Sequence, residues 1–178
     1  MRHFLDFERP IAELEGKIAE LRHLSSDSGL NIAEEVGRLE AQANRLLGGG
    51  TAAFGKQVAA LHGHPIVVNQ WASWCGPCRF EFPYFQRLAR QYRGRVAFLG
   101  VDAKDNKGDA QAFLKQRPLP YPSYFDLNAS TARTFKGGLA WPTTAFYDAR
   151  GKLTYTHPGA YATQAKLDQD IRRYALGS

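Results

Sequence analysis

The sequence predicts an α/β protein: a central sheet of parallel and antiparallel strands covered by helices, preceded by an α-helical hairpin. Three observations carry this prediction. From residue 51 onward, short apolar, β-branched runs alternate with amphipathic segments in the order βαβα and then ββα. Two apolar stripes at steps of three and four residues occupy residues 1–47. A glycine triplet, Gly48-Gly49-Gly50, stands between the two regions as a joint able to swing.

In the N-terminal region Ile11, Leu14, Ile18 and Leu21 form a heptad-like stripe. Pro10 suits the first helical position, where its missing N–H costs nothing. Ser25-Ser26-Asp27-Ser28-Gly29 breaks the pattern. Asn31 can cap a second helix, with Glu34 completing a capping box, and Ile32, Val36, Leu39, Ala43 and Leu46 form its stripe. Such a hairpin has little core of its own and needs a surface to lean on.

Thr51 is placed to cap a short helix through Leu61, and His62-Gly63-His64-Pro65 turns the chain. Residues 66–71 read as a buried strand. A long helix is expected from Pro77 to Tyr92, kinked at Pro83. Val96–Asp102 reads as a second buried strand and Asp109–Gln116 as a helix. Pro118, Pro120 and Pro122 impose an extended connection. Ala129–Phe135 is a short helix. Thr143–Tyr147 and Leu153–His157 form a hairpin turning at Asp148-Ala149-Arg150-Gly151. Thr163–Tyr174 closes the chain with a helix carrying Leu167, Ile171 and Tyr174.

A hydrophobic fraction of 44% with 12% aromatic residues is enough for a packed core. No run of eighteen apolar residues is present, so no membrane span is expected, and the N-terminus lacks the apolar stretch of a secretory signal. The net charge of +6 is unevenly spread. Residues 1–47 hold six Lys and Arg against nine Asp and Glu, and residues 48–178 hold seventeen against eight. This break divides the chain into two units, 1–47 and 48–178. The basic charges of the second unit are scattered, which speaks against nucleic acid as a partner.

Cys75 and Cys78 are the only cysteines. They follow an apolar strand and open a helix, so unpaired N–H groups and the helix dipole favour a thiolate there. On this reading Cys75 is the exposed attacking thiol, and Cys78, one turn in, is the buried resolving thiol. Pro77 pre-sets the helix start. Zinc binding would need further ligands, and no histidine lies within ten residues. A structural disulfide would close a very small loop and be a weak staple. A Cys-x-x-Cys between strand and helix, with Trp71 and Trp74 before it, favours a redox dithiol over both. His62, His64 and His157 have no spaced partner for a metal and are expected at the surface.

Trp74-Cys75-Gly76-Pro77-Cys78 is identical to the signature of thioredoxins. The wider run from Val68 through Pro83, and Trp141-Pro142-Thr143-Thr144-Ala145-Phe146-Tyr147-Asp148, resemble the TlpA/ResA branch of thiol-disulfide oxidoreductases. The resemblance covers residues 50–176 and implies a thioredoxin-like fold acting without cofactor or metal on protein disulfides or dithiols. It implies Cys75, Cys78 and Glu81 as catalytic residues, with Glu81 taking a proton from Cys78. It implies Trp74, Gly76, Pro77, Trp141 and Pro142 as substrate-binding residues, Pro142 matching the family's cis-proline. Asn69 stands where thioredoxins carry a buried aspartate and cannot act as a base. Relatives of this branch are extracytoplasmic, so the redox unit is expected outside the cytoplasm in its native setting. The Gly-Pro between the cysteines leans towards a reductant.

Residues 4–18 and 31–39 resemble the N-terminal helices of the acetyl-CoA carboxylase carboxyltransferase α subunit. Only that helical tip is present, so carboxyltransferase chemistry does not follow. In that family the region serves subunit packing, which implies oligomerisation through residues 1–47. The pairing with a redox unit implies a fusion or chimera. A second function therefore stands beside the redox one: an assembly or scaffold protein whose hairpin binds partners.

Overall fold

The computed structural model describes Glu13, Gly16 and Lys17, all helical, and residues 44–178. The rest of the expected hairpin lies outside the described residues.

The elements run β1 (Leu46–Leu47), α1 (Gly50–Ala60), β2 (Ile66–Trp71), α2 (Gly76–Gln91), β3 (Ala97–Ala103), α3 (Lys107–Gln116), β4 (Ser123–Asp126), α4 (Ser130–Thr134), β5 (Thr143–Tyr147), β6 (Leu153–Pro158) and α5 (Gln164–Asp170), which passes into a π-helical turn over Ile171–Leu176. They build one sheet in the order β1-β4-β3-β2-β5-β6. The first four strands are mutually parallel, and β5 and β6 are antiparallel.

The central strands are continuously apolar because both of their faces are covered. Along β2 the side chains alternate: Val67 and Trp71 join a core with Phe82, Phe85, Phe113, Phe146, Leu167 and Ile171. Ile66 and Val68 join a second core on the opposite face with Phe54, Leu61, Leu99, Tyr124 and Phe135. Each such side chain contributes about 1.5–3 kcal/mol by leaving water. The faces are also locked across strands. Trp71 Nε1 donates to Ser123 Oγ at 3.2 Å, and Gly100 lies in the gap, where a Cβ would stand 2.1 Å from that hydroxyl.

Several elements differ from expectation. Leu46, read as the last residue on a helical stripe, belongs to an edge strand with Leu47, pairing with Ser123 and Tyr124 of β4. Ser123–Asp126, assigned to no element from the sequence, is a full strand of the sheet. The preceding prolines withhold N–H groups before the ladder begins, so they do not obstruct it. The glycine triplet is part of the fold and not a loose joint: Gly49 takes φ 89° as the residue before α1, and Gly50 opens that helix. Thr51 does not cap it and instead meets the Thr131 hydroxyl at 3.1 Å. α3 starts at Lys107 because Asn106 accepts the N–H groups of Gly108 and Asp109. α2 is a single helix with Pro83 inside it.

Candidate active site

Parallel strands β2, β3 and β4 end on one side of the molecule, and β5 begins there. This end carries the dithiol. Cys75 is the N-cap of α2, and Cys78 lies in its first turn. They are joined as a disulfide with Cα atoms 5.3 Å apart, and Cys75 Sγ accepts the Cys78 N–H at 3.1 Å. Cys75, expected to be exposed, is only 3% accessible, against 0% for Cys78. The order of exposure is as expected, but the absolute exposure is small because Trp74 and Pro142 stand at the same mouth. Trp74, Gly76 and Pro77 are exposed beside it.

The loop before Cys75 is clamped from two sides. The Ser73 N–H and the Ser73 hydroxyl both donate to the Asp105 carboxylate, the hydroxyl at 2.8 Å. The Ser73 carbonyl accepts two bonds from the Arg79 guanidinium, at 3.1 and 2.6 Å. Asp105 also accepts the Asn106 N–H at 2.7 Å, so one carboxylate joins the dithiol loop to the start of α3.

Facing this loop is the segment 137–142. The Trp141–Pro142 peptide bond is cis. Gln70, buried on β2, clasps the segment: its Oε1 accepts the Gly138 N–H at 2.7 Å and its Nε2 donates to the Ala140 carbonyl at 2.9 Å. Thr143 Oγ1 donates to the same carbonyl at 2.8 Å, and Pro142 O accepts the Gly159 N–H at 2.8 Å. Both tryptophans are pinned to the end of β3. Trp141 Nε1 donates to Ala103 O at 3.2 Å and Trp74 Nε1 to Lys104 O at 2.9 Å. Their ring centroids lie 5.5 Å apart. The fold thus brings Trp74, Cys75, Gly76, Pro77, Cys78, Trp141 and Pro142 to one mouth.

Glu81 sits beneath it, one helical turn beyond Cys78 and fully buried. Its Oε1 accepts from Asn69 Nδ2 at 3.2 Å and its Oε2 from the Tyr161 N–H at 2.9 Å. Its hydrogen bonds go to these two groups and not to either sulfur. Burial pushes the carboxyl up to about 8, against the opposing pull of the two hydrogen bonds. Among the described residues Asn69 Oδ1 and the Tyr121 hydroxyl are buried without partners, and the Glu81 charge adds to burial in raising Tyr121. The arrangement is a buried carboxyl one helical turn beyond Cys78, held by Asn69 and the Tyr161 N–H.

Sequence reasoning missed Gln70, Asp102, Asp105 and Tyr161. Gln70 and Asp102 carried a signal, since each is a polar residue inside or at the end of an apolar strand run. Asp102 is fully buried, and among the described residues neither of its carboxyl oxygens meets a hydrogen-bond partner at normal geometry. Burial first, then Asp105 and Asp126, push it up to about 9. His62 is exposed, while His64 and His157 are half-buried, His157 because its ring stacks on Tyr161 at 4.1 Å.

Comparison with known proteins agrees with this geometry. The Redoxin family profile matches residues 50–171, and the profile of acetyl co-enzyme A carboxylase carboxyltransferase-like proteins matches residues 4–55. Thiol-disulfide oxidoreductase ResA of Oceanobacillus iheyensis is 30% identical over 105 residues, 58% of this chain and 54% of that protein. The crystal structure of a DsbF homologue from Corynebacterium diphtheriae superposes with a TM-score of 0.59 at 26% identity, covering 64% of this chain and 74% of that one. The carboxyl transferase α subunit of Paramagnetospirillum magneticum is 62% identical over 45 residues, 25% of this chain and 14% of that protein. The chain spans about half the length of the curated ResA it matches. The fold is thioredoxin-like, a carboxyltransferase-like segment stands at the N-terminus, and with a profile match over residues 50–171 the chain belongs to the redoxin family.

Proposed function

We propose that this chain is a thiol-disulfide oxidoreductase that reduces protein disulfides through Cys75 and Cys78. The observation that carries this reading is the closed Cys75–Cys78 bond at the N-terminus of α2, between the Trp141–Pro142 segment and the buried Glu81. In the reduced protein the Cys75 thiolate, favoured by the helix N-terminus, attacks one sulfur of a substrate disulfide. A Cys75–substrate disulfide forms, and the first substrate sulfur leaves as a thiolate that takes up a proton. Glu81 then receives the Cys78 proton. The Cys78 thiolate attacks Cys75 Sγ, closes the bond seen here and releases the second substrate thiolate. Two electrons pass from the dithiol to the substrate, and an external dithiol reductant restores the chain. Glu81 suits the second step because a carboxyl near 8, mostly protonated at neutrality, keeps a minor ionised fraction that accepts the Cys78 proton and gives it back. Trp74, Gly76, Pro77, Trp141 and Pro142 hold the substrate segment, the Trp141 backbone before Pro142 offering strand-like pairing.

The redox unit is read as working outside the cytoplasm, in line with a structural relative described as a secreted disulfide oxidoreductase of Mycobacterium tuberculosis. Among the described residues no helix is long and apolar enough to cross a membrane. The second unit is read as the chain before Asn44, since Leu46 and Leu47 join the redox sheet where the sequence put the boundary at 47, and the carboxyltransferase-like match over residues 4–55 supports a second role for it in assembly.

Insulin-disulfide reduction is abolished in Cys75→Ser on this reading, and retained activity overturns it. Equilibration with glutathione redox buffers fixes the direction: a potential well below that of glutathione supports a reductant. Light scattering with and without residues 1–43 tests assembly, which predicts a change in the number of chains per particle on deletion; an unchanged number overturns it.

A further inference from the structure

Among the described residues four large apolar side chains are exposed: Trp74 at 55%, Phe80 at 58%, Leu127 at 59% and Leu139 at 91%. Single exposed apolar residues are ordinary, but these four share one end of the molecule. Trp74 follows the end of β2, and Leu127 follows the end of β4. Leu139 precedes the start of β5. Phe80 lies on the second turn of α2, edge-on to Tyr84 at 5.7 Å. This is the end that carries the dithiol.

Charge is sorted at the same end. Lys104, Lys107 and Lys136 are exposed, and the Lys104 ammonium lies 5.6 Å from the Trp141 ring centroid. The acids nearest the dithiol, Glu81, Asp102 and Asp105, are buried, as is Asp126 at the end of β4. Asp109, in the first turn of α3, is the exposed acid nearest to Lys104 and Lys107 in sequence. Among the described residues none of the three lysines is in an ion pair. The end that carries the dithiol therefore presents indole, phenyl and leucyl groups together with exposed ammonium groups, while four of its acids are buried and Asp109 is the exposed one beside Lys107.

We infer that this end docks an extended polypeptide whose disulfide is flanked by large apolar side chains, with acidic residues beyond them. The inference rests on the oxidoreductase reading and adds the substrate class. Apolar flanks of a disulfide are accessible only in an unfolded or partly folded chain, because a finished fold buries them. The exposed lysines complement acidic residues, steer them to the mouth and reject basic segments. The chain's own N-terminal segment is a poorer occupant. β1 runs parallel to β4, so the chain before Leu46 arrives from the opposite end of the sheet, where Asn44 bonds Leu114 O at 2.6 Å and the Leu119 N–H at 2.9 Å. The occupant we assign is a separate polypeptide.

The test uses the reduced full chain and four synthetic peptides, each with one internal disulfide. Their flanks are apolar–acidic, apolar–basic, polar–acidic and polar–basic, and hydroxyethyl disulfide serves as a substrate without flanks. The apolar–acidic peptide is expected to exceed each singly altered peptide in kcat/KM by about tenfold. Its advantage over the apolar–basic peptide shrinks in about 0.5 M salt. Lys104→Glu lowers the acidic-to-basic ratio, and Leu127→Ser with Leu139→Ser lowers the apolar-to-polar ratio. Ratios taken within one variant are independent of how much of it is folded. Equal rates on all four peptides, or the reverse preference, overturn the docking surface. Equal rates are also the outcome if residues 1–43 or a second copy already cover it. If hydroxyethyl disulfide is not reduced either, the oxidoreductase reading itself falls.

Discussion

Glu81 shows how one buried side chain sets both chemistry and stability. In the unfolded chain its carboxyl titrates near 4.5, and in the folded oxidised chain near 8, because the interior disfavours the anion. The folded state therefore binds the Glu81 proton more tightly than the unfolded state. Its contribution is fully favourable below the unfolded value and is lost as pH rises through the folded one. Between pH 4.5 and 8 the oxidised protein should lose on the order of 4 kcal/mol of stability from this group. Asp102 acts in the same direction up to about 9. Urea unfolding at pH 5 and pH 8 should show a marked fall for the wild type and roughly half that fall for Glu81→Gln; an undiminished slope in the variant would refute the assignment. Glu81 was legible in the sequence through its resemblance and its position three residues after Cys78. Its partner Tyr161 was not, because eighty residues separate the two and only the closing of the fold joins them. Asn69 was legible as a residue that cannot serve as a base, and its Nδ2–H donates to Glu81.

The strand β2 and the loop it clasps act together. Gln70 uses both ends of its amide to hold residues 138–140, which fixes where Trp141 and Pro142 stand against the disulfide. Gly137 must remain glycine for this clasp, since a Cβ there would come within 2.2 Å of Gln70 Oε1 and 2.7 Å of the Phe135 ring. Gly137→Ala should cost about 1–3 kcal/mol in urea unfolding by overpacking. It should also lower insulin reduction more than Ala160→Ser, a substitution in the half-buried loop after β6. An equal effect of the two would show that the clasp does not position the site. The strands β2, β3, β5 and β6 and the helices α2 and α5 were readable because periodicity and burial agree there. β1 and β4 were not. Two residues carry no period, and Ser123–Asp126 is a short strand between prolines and polar groups, so β4 exists because β3 supplies its ladder and β1 because β4 supplies the next one.

Over the whole molecule, charge is divided between an outer shell and the interior. Residues 48–178 carry seventeen Lys and Arg, and four of their eight acids are buried. Glu81 and Asp102 are pushed to about 8 and about 9, so both hold protons at pH 7 and neither offsets the basic surface. The oxidised chain should therefore migrate as though about two units more positive than its formal +6. The double variant Glu81→Gln, Asp102→Asn removes both groups without altering the charge carried at pH 7. By capillary electrophoresis it should comigrate with the wild type at pH 7 and separate from it as more positive above about pH 9, where the wild-type acids ionise. Near-UV circular dichroism establishes that the variant retains its tertiary packing. A variant already more positive than the wild type at pH 7 would mean that both acids are ionised inside the fold, and the field at the dithiol mouth would then lose part of the cationic bias on which selection of acidic segments depends.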